Sequence, residues 1–153
     1  VADGDLDLDS VDGDSYFAPI ASVVEALAQK RHLRLRRYYH DRPVWDLTFL
    51  LPTSGAIGKV DIVPVSESSV ELRALLWRDD YAKGSRTMRR CNAIRVGRNG
   101  EAVERGLNLF LDRLIAEQTD GEPIVAGGYE AGWQRYSAEE FERMATAGLE
   151  VAR

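Results

Sequence analysis

The chain is poor in the residues that announce the commonest kinds of chemistry. Among its 153 residues there is one cysteine, Cys91, and there are two histidines, His32 and His40. A lone cysteine closes no intramolecular disulfide, which removes a disulfide scaffold and points to a reducing compartment, the cytoplasm. So few nitrogen and sulfur ligands also fall short of a protein-built zinc site, although oxygen ligands for a divalent cation are plentiful. No run approaches the roughly 18 uninterrupted apolar residues of a membrane span. No basic-then-apolar leader pattern stands at the start either, so no membrane partner is expected. His40 lies beside Asp41, an acid/base pairing in principle, yet no serine or cysteine completes a hydrolase triad with it. Gly127-Gly128 lacks the strand-then-helix context of a phosphate-binding loop.

What charge there is, is unevenly placed. The net formal charge is −5, which disfavours nucleic-acid binding by bulk attraction. Residues 1–14 carry six aspartates and no base, whereas residues 83–98 carry Lys83, Arg86, Arg89, Arg90, Arg95 and Arg98 and no acid. Asp3, Asp5, Asp7 and Asp9 alternate as in a calcium loop. Counted from Asp5, however, the sixth and twelfth positions are Ser10 and Tyr16 instead of the Gly and Glu that an EF-hand needs. The expectation is a flexible acidic tail over 1–14 followed by a single domain over 15–153, a size that can bury a core. The tail could fold back on the basic stretch.

The organising pattern is period-two alternation in four runs, Leu33–Tyr39, Val44–Leu51, Lys59–Val65 and Val70–Arg78. One set of alternating positions is apolar (Leu33, Leu35; Trp45, Leu47, Phe49; Val60, Ile62; Val70, Leu72, Ala74, Leu76). The other carries polar or charged residues (Arg34, Arg36; Asp46, Thr48; Lys59, Asp61; Glu71, Arg73). Successive side chains of a strand point to opposite faces, so this is an antiparallel meander with one dry and one polar, solvated face. A fifth strand is expected over Thr87–Val96. Placing Phe49 opposite Val60 aligns the apolar sets and brings Thr48 opposite Asp61. At the next turn, charge selects Asp61 opposite Arg73 over Asp61 opposite Glu71.

Helical spacing predicts a helix over Phe17–Lys30, with Asp14 or Ser15 as its cap and Pro19 in its first turn. A second runs over Glu101–Gln118 with Val103, Leu107, Phe110 and Leu111 on its apolar stripe. Residues 119–136 read as loop, with a short strand possible at Pro123–Ala126. Ser137-Ala138-Glu139-Glu140 is a capping box that opens a last helix over Ala138–Glu150. The fold class is α+β: a helix, a four- to five-stranded antiparallel meander, then two C-terminal helices packed on one sheet face.

Three places could carry function. Asp61 and Glu71 on adjacent strands, with Arg73 two residues after the glutamate, resemble the Asp…Glu-x-Lys arrangement of the PD-(D/E)xK nucleases. The resemblance implies a divalent cation held by Asp61 and Glu71 and a water activated by the third residue. It departs from that family in having Arg73, a poor proton acceptor, and in having no intervening helix. The second place is the first hairpin, where Tyr38, His40 and Trp45 could join Trp77 at one end of the sheet as a binding rim. The third is the basic stretch, with Arg86, Arg89 and Arg90 open to an anionic or protein partner along Arg86–Arg98. A cavity between sheet and long helix could take a small apolar ligand. The favoured function is a non-catalytic binding or accessory protein; the alternative is a metal-dependent phosphodiesterase or nuclease.

Overall fold

The computed structural model describes residues 7, 10–39, 42–50, 57–80, 85–116, 134–137, 139–140 and 143; within these, the side chains of 50, 76–80, 85–92, 113–116 and 134–136 are outside the description. Two helices, α1 (Gly13–Phe17) and α2 (Ala21–Lys30), precede the strands β1 (Arg34–Tyr38), β2 (Val44–Leu50), β3 (Ile57–Pro64), β4 (Ser69–Asp80) and β5 (Ser85–Gly97). Helix α3 (Gly100–Ala116) and strand β6 (Gln134–Tyr136) follow. The expected first helix is therefore two. Pro19 has no amide to give to the carbonyl four residues back, and the chain breaks at Ala18–Ile20. The cap also falls two residues before Asp14, the earlier of the two expected residues. Asp12 accepts from the Asp14 amide at 3.2 Å and from Ser15 Oγ at 2.8 Å. Helix α2 ends on His32 at φ 57°, with the Leu33 amide returning to the Ala28 carbonyl at 2.8 Å, a Schellman closure made without glycine.

The sheet runs in the order β1-β2-β3-β4-β5-β6. Its first five strands are antiparallel neighbours, and β6 lies parallel to β5. The fold is α+β, as the alternation implies. Strand β6 falls in a stretch read as loop, because three residues are too few to display a period. The possible strand at Pro123–Ala126 lies outside the described residues. So does most of the expected last helix; Glu139, Glu140 and Arg143 are helical. Its capping box is formed, with the Glu140 amide 3.1 Å from Ser137 Oγ and the Ser137 amide 3.3 Å from Glu140 Oε2.

All the apolar positions assigned to the dry face that have described side chains lie on one side, where the helices cover them. Trp45, Leu47, Val60, Ile62, Val70, Leu72 and Ala74 are buried together with Phe17, Val24, Val103, Leu107 and Phe110. The Phe17 ring stacks on Trp45 with centroids 4.8 Å apart. Helix α3 approaches the sheet at Gly106, where a Cβ would come within 2.7 Å of Leu72 Cδ1 and 3.3 Å of Val96 Cγ1. Glycine here is the means of close packing.

One register differs from expectation. In β2–β3, Trp45 pairs with Ile62, Leu47 with Val60 and Phe49 with Gly58, so Asp46 and not Thr48 stands opposite Asp61. The slip is two residues, which keeps every side chain on its assigned face. Gly58 gives the Phe49 ring the room it needs, since any Cβ there would overlap it. Phe49 against Val60 would have offered no such space. The β3–β4 register is the one chosen by charge, with Asp61 opposite Arg73.

Candidate functional site

Strand alternation places Arg34, Arg36 and Tyr38 of β1, Asp46 and Thr48 of β2, Lys59 and Asp61 of β3, Glu71 and Arg73 of β4, and Ala93 and Arg95 of β5 on the face opposite the helices. The register draws one row of pairs across it, Arg36–Asp46, Asp46–Asp61, Asp61–Arg73. Two carboxylates face each other directly at its centre. That arrangement is ordinarily repulsive, and flanking cations offset it. Arg36 grips Asp46 with both edges of its guanidinium, Nε to Oδ1 at 3.0 Å and Nη2 to Oδ2 at 3.2 Å. Lys59 Nζ lies 3.2 Å from Asp61 Oδ1. Arg73 Nε donates to Glu71 Oε1 at 2.7 Å. Three cations and three carboxylates thus form a neutral patch.

The patch is not the solvated surface expected of a polar face. Asp46 is 1% exposed, Asp61 7% and Glu71 9%. Carboxylates this deep are normally held by partners that meet most of their lone pairs; Asp46 accepts from Arg36 and Thr48, whereas the buried Asp61 Oδ1 meets Lys59 as an ion pair and not as a hydrogen bond. Burial pushes the Asp61 carboxyl above the usual aspartate range, and the nearby Asp46 charge adds to the rise, while Lys59 and Arg73 oppose it. Asp61 therefore holds its proton to a higher pH than an ordinary aspartate. The hydrogen bond to Asp46 does the reverse service for Arg36 and keeps it still more firmly charged.

Asp61, Glu71 and Arg73 are brought together as the sequence suggested, but not as a converging metal cradle. Arg73 engages Glu71, whose own cross-strand neighbours are Val63 and Arg95. Among the described residues no group of three histidine, cysteine or acidic side chains is placed to hold a metal ion. The residue missed as a member of this site is Asp46. Its signal was available only through the register, because the sequence alone set Thr48 there.

The binding rim does not assemble. Tyr38 is 44% exposed at the sheet edge and lies 5.4 Å from the Arg36 guanidinium. Trp45 is 3% exposed and belongs to the core; its indole donates to Tyr39 Oη at 3.1 Å, and Arg37 covers its ring at 4.7 Å. Trp77 is five residues along β4 from Leu72, which aligns with Trp45 through Ile62, about 17 Å at the usual rise. The error was one of direction. The first hairpin sits at the end where β4 begins, not where it finishes. His40 lies outside the described residues.

The basic stretch divides in two. Arg86 pairs in register with Asp79 and Arg90 with Leu76, while Arg89 is the extra residue where the β4–β5 register shifts between Leu76 and Trp77. That shift puts positions 85–88 out of phase with 91–95, so Thr87, Cys91 and Arg95 do not share one face. Arg95 is exposed on the outer face. Arg98 is a structural strut: Nη1 donates to the Tyr16 carbonyl at 2.8 Å and the guanidinium lies 4.6 Å from the Tyr16 ring. It also lines a polar recess of about 550 Å³ with Asp7, Asp12 and Glu67, which brings described residues of the acidic segment near a base of that stretch. A second basic run was hidden by the alternation: Lys30, Arg31, Arg34, Arg36 and Arg37, with no acid between Glu25 and Asp41. Between β5 and α3 is an open groove of about 380 Å³ bordered by Val96, Leu109, Arg95 and Arg105.

No protein-family model matches the chain, and no curated protein or solved structure matches it either. Among the described residues no helix is long and apolar enough to cross a membrane.

Proposed function

We propose that this is a non-catalytic binding or accessory protein whose contact surface is the outer sheet face together with its basic strand positions. One observation carries the reading: Asp46, Asp61 and Glu71 each already have a cation at 3.2 Å or less. Carboxylates neutralised in this way are poorly set to bind a metal ion, which would have to displace an arginine or lysine from each. The exposed arginines, Arg34 and Arg95, lie at the borders of that neutral patch and give it a positive rim for an anionic or protein partner.

The metal-dependent phosphodiesterase remains as a second reading because the register sets Asp46 against Asp61, a third carboxylate beside the Asp61 and Glu71 that the sequence offered. A single experiment separates the two. Thermal unfolding is followed with Mg²⁺ or Mn²⁺ at millimolar concentration, for the wild type and for Asp61→Ala. The binding protein gives the same Tm with and without the ion. An ion-dependent rise in Tm that Asp61→Ala abolishes, accompanied by metal-dependent phosphodiester cleavage, overturns it.

A further inference from the structure

The charges of the outer sheet face are matched so closely that one proton unbalances them. Asp61 stands at their centre. Across the strands it faces Asp46 of β2 on one side and Arg73 of β4 on the other. By register the row continues to Arg36 of β1 at one end, and to Ala93 of β5 and Arg135 of β6 at the other. On its own strand Lys59 Nζ lies 3.2 Å away. Glu71, on the strand of Arg73, holds that arginine at 2.7 Å, as Asp46 holds both edges of Arg36. Asp61 is 7% exposed, so water screens its charge poorly, and a change of charge there is felt at the surface above it.

We propose that the outer face is an anion-binding surface gated by the proton on Asp61. With Asp61 ionised, three carboxylates cancel Arg36, Lys59 and Arg73. With Asp61 protonated, the same three cations face only two carboxylates, between the exposed Arg34 and Arg95. Arg36 stays on Asp46 throughout, so the gain comes from the field of the patch and not from a freed side chain. An anion bound over this face stabilises the protonated form, and by linkage the proton tightens the anion in equal measure. Burial and the Asp46 charge favour keeping the proton, while Lys59 and Arg73 favour losing it. That opposition leaves the balance responsive to a charge arriving from outside. This regulation rests on the contact surface proposed above.

NMR titration of the full chain with sucrose octasulfate, an anion whose charge is constant with pH, tests the gate. It is run at low salt, where exposed charges are least screened, and at pH values spanning the Asp61 titration, read from that carboxyl's carbon shift. Binding is reported by the Arg34 and Arg95 amides. Affinity should rise as pH falls through the Asp61 titration, by about threefold or more for one unit charge at close range. The bound anion should also move the Asp61 midpoint upward. Asp61→Asn, which fixes the neutral state, should bind with the low-pH affinity of the wild type and lose this step. Equal pH dependence in the two proteins overturns the proton gate and leaves the contact surface standing. No shift at Arg34 or Arg95 at any pH overturns both.

Discussion

Each face of the sheet holds side chains shielded from water, but by different means. On the helix side Phe17, Leu47, Ile62 and Leu72 are fully buried among other hydrocarbon, where the hydrophobic effect acts without regard to direction. On the outer side Asp46 and Asp61 are nearly as deep, yet they depend on the positions of Arg36, Lys59 and Arg73. Desolvating charge is costly, and a buried ion pair recovers that cost only when its geometry is good. Depth alone therefore says little about what a residue contributes.

The largest effect expected of a test lies on the helix side. Phe17→Ala removes a fully buried ring stacked on Trp45 and should lower the unfolding free energy by about 3–5 kcal/mol in chemical denaturation. Asp46→Ala should cost less, about 1–2 kcal/mol, although its side chain is as well buried. The stranded Arg36 is 37% exposed and can turn to water, so the penalty for an orphaned charge is small. The same variant should let the Asp61 pKa, followed by NMR, fall toward its ordinary value. A loss as large as that of Phe17→Ala would erase the distinction between the faces.

Asp61→Asn should have the smallest effect and the most telling sign. Burial raises the Asp61 pKa in the folded chain, so between the ordinary aspartate range and that raised value the folded state binds the proton that the unfolded state has released. Stability therefore falls as pH rises through this window, and the loss is complete above the folded pKa. Asparagine has no proton to lose. The variant should match the wild type at a pH below the ordinary aspartate range and exceed it in Tm at pH 7. A lower Tm at pH 7 would show that Asp61 is a net stabiliser when ionised.

Much of this was legible in the chain. Alternation sorts Trp45, Leu47, Val60, Ile62, Leu72 and Ala74 correctly because a two-residue period survives any even slip of register. Opposite charge chose the Asp61–Arg73 pair. One strand over, placing Phe49 opposite Val60 misses the register by two residues, and like charges, Asp46 and Asp61, meet there. Pairwise reasoning does not see that Arg36, reaching in from a third strand, has already neutralised one member. Nor does a polar residue type disclose its depth, which long neighbouring side chains decide. Pro19 marks a break between α1 and α2 and does not open a single helix, since its ring and missing amide interrupt the helical ladder. The shift between Leu76 and Trp77 leaves no mark in composition.

Strand β6 sets the order in which the molecule can assemble. Every pairing from β1 to β5 joins chain neighbours, so hairpins can form one after another with short loops to close. The parallel contact of Gln134 with Asn92 must instead bring together residues about forty positions apart, after α3 has settled across the sheet, and it gains only three paired residues for that larger loss of chain entropy. The last strand to dock is then also the first to leave, and hydrogen exchange at Ala93 and Ile94 of β5 should report that local opening well before the meander itself comes apart.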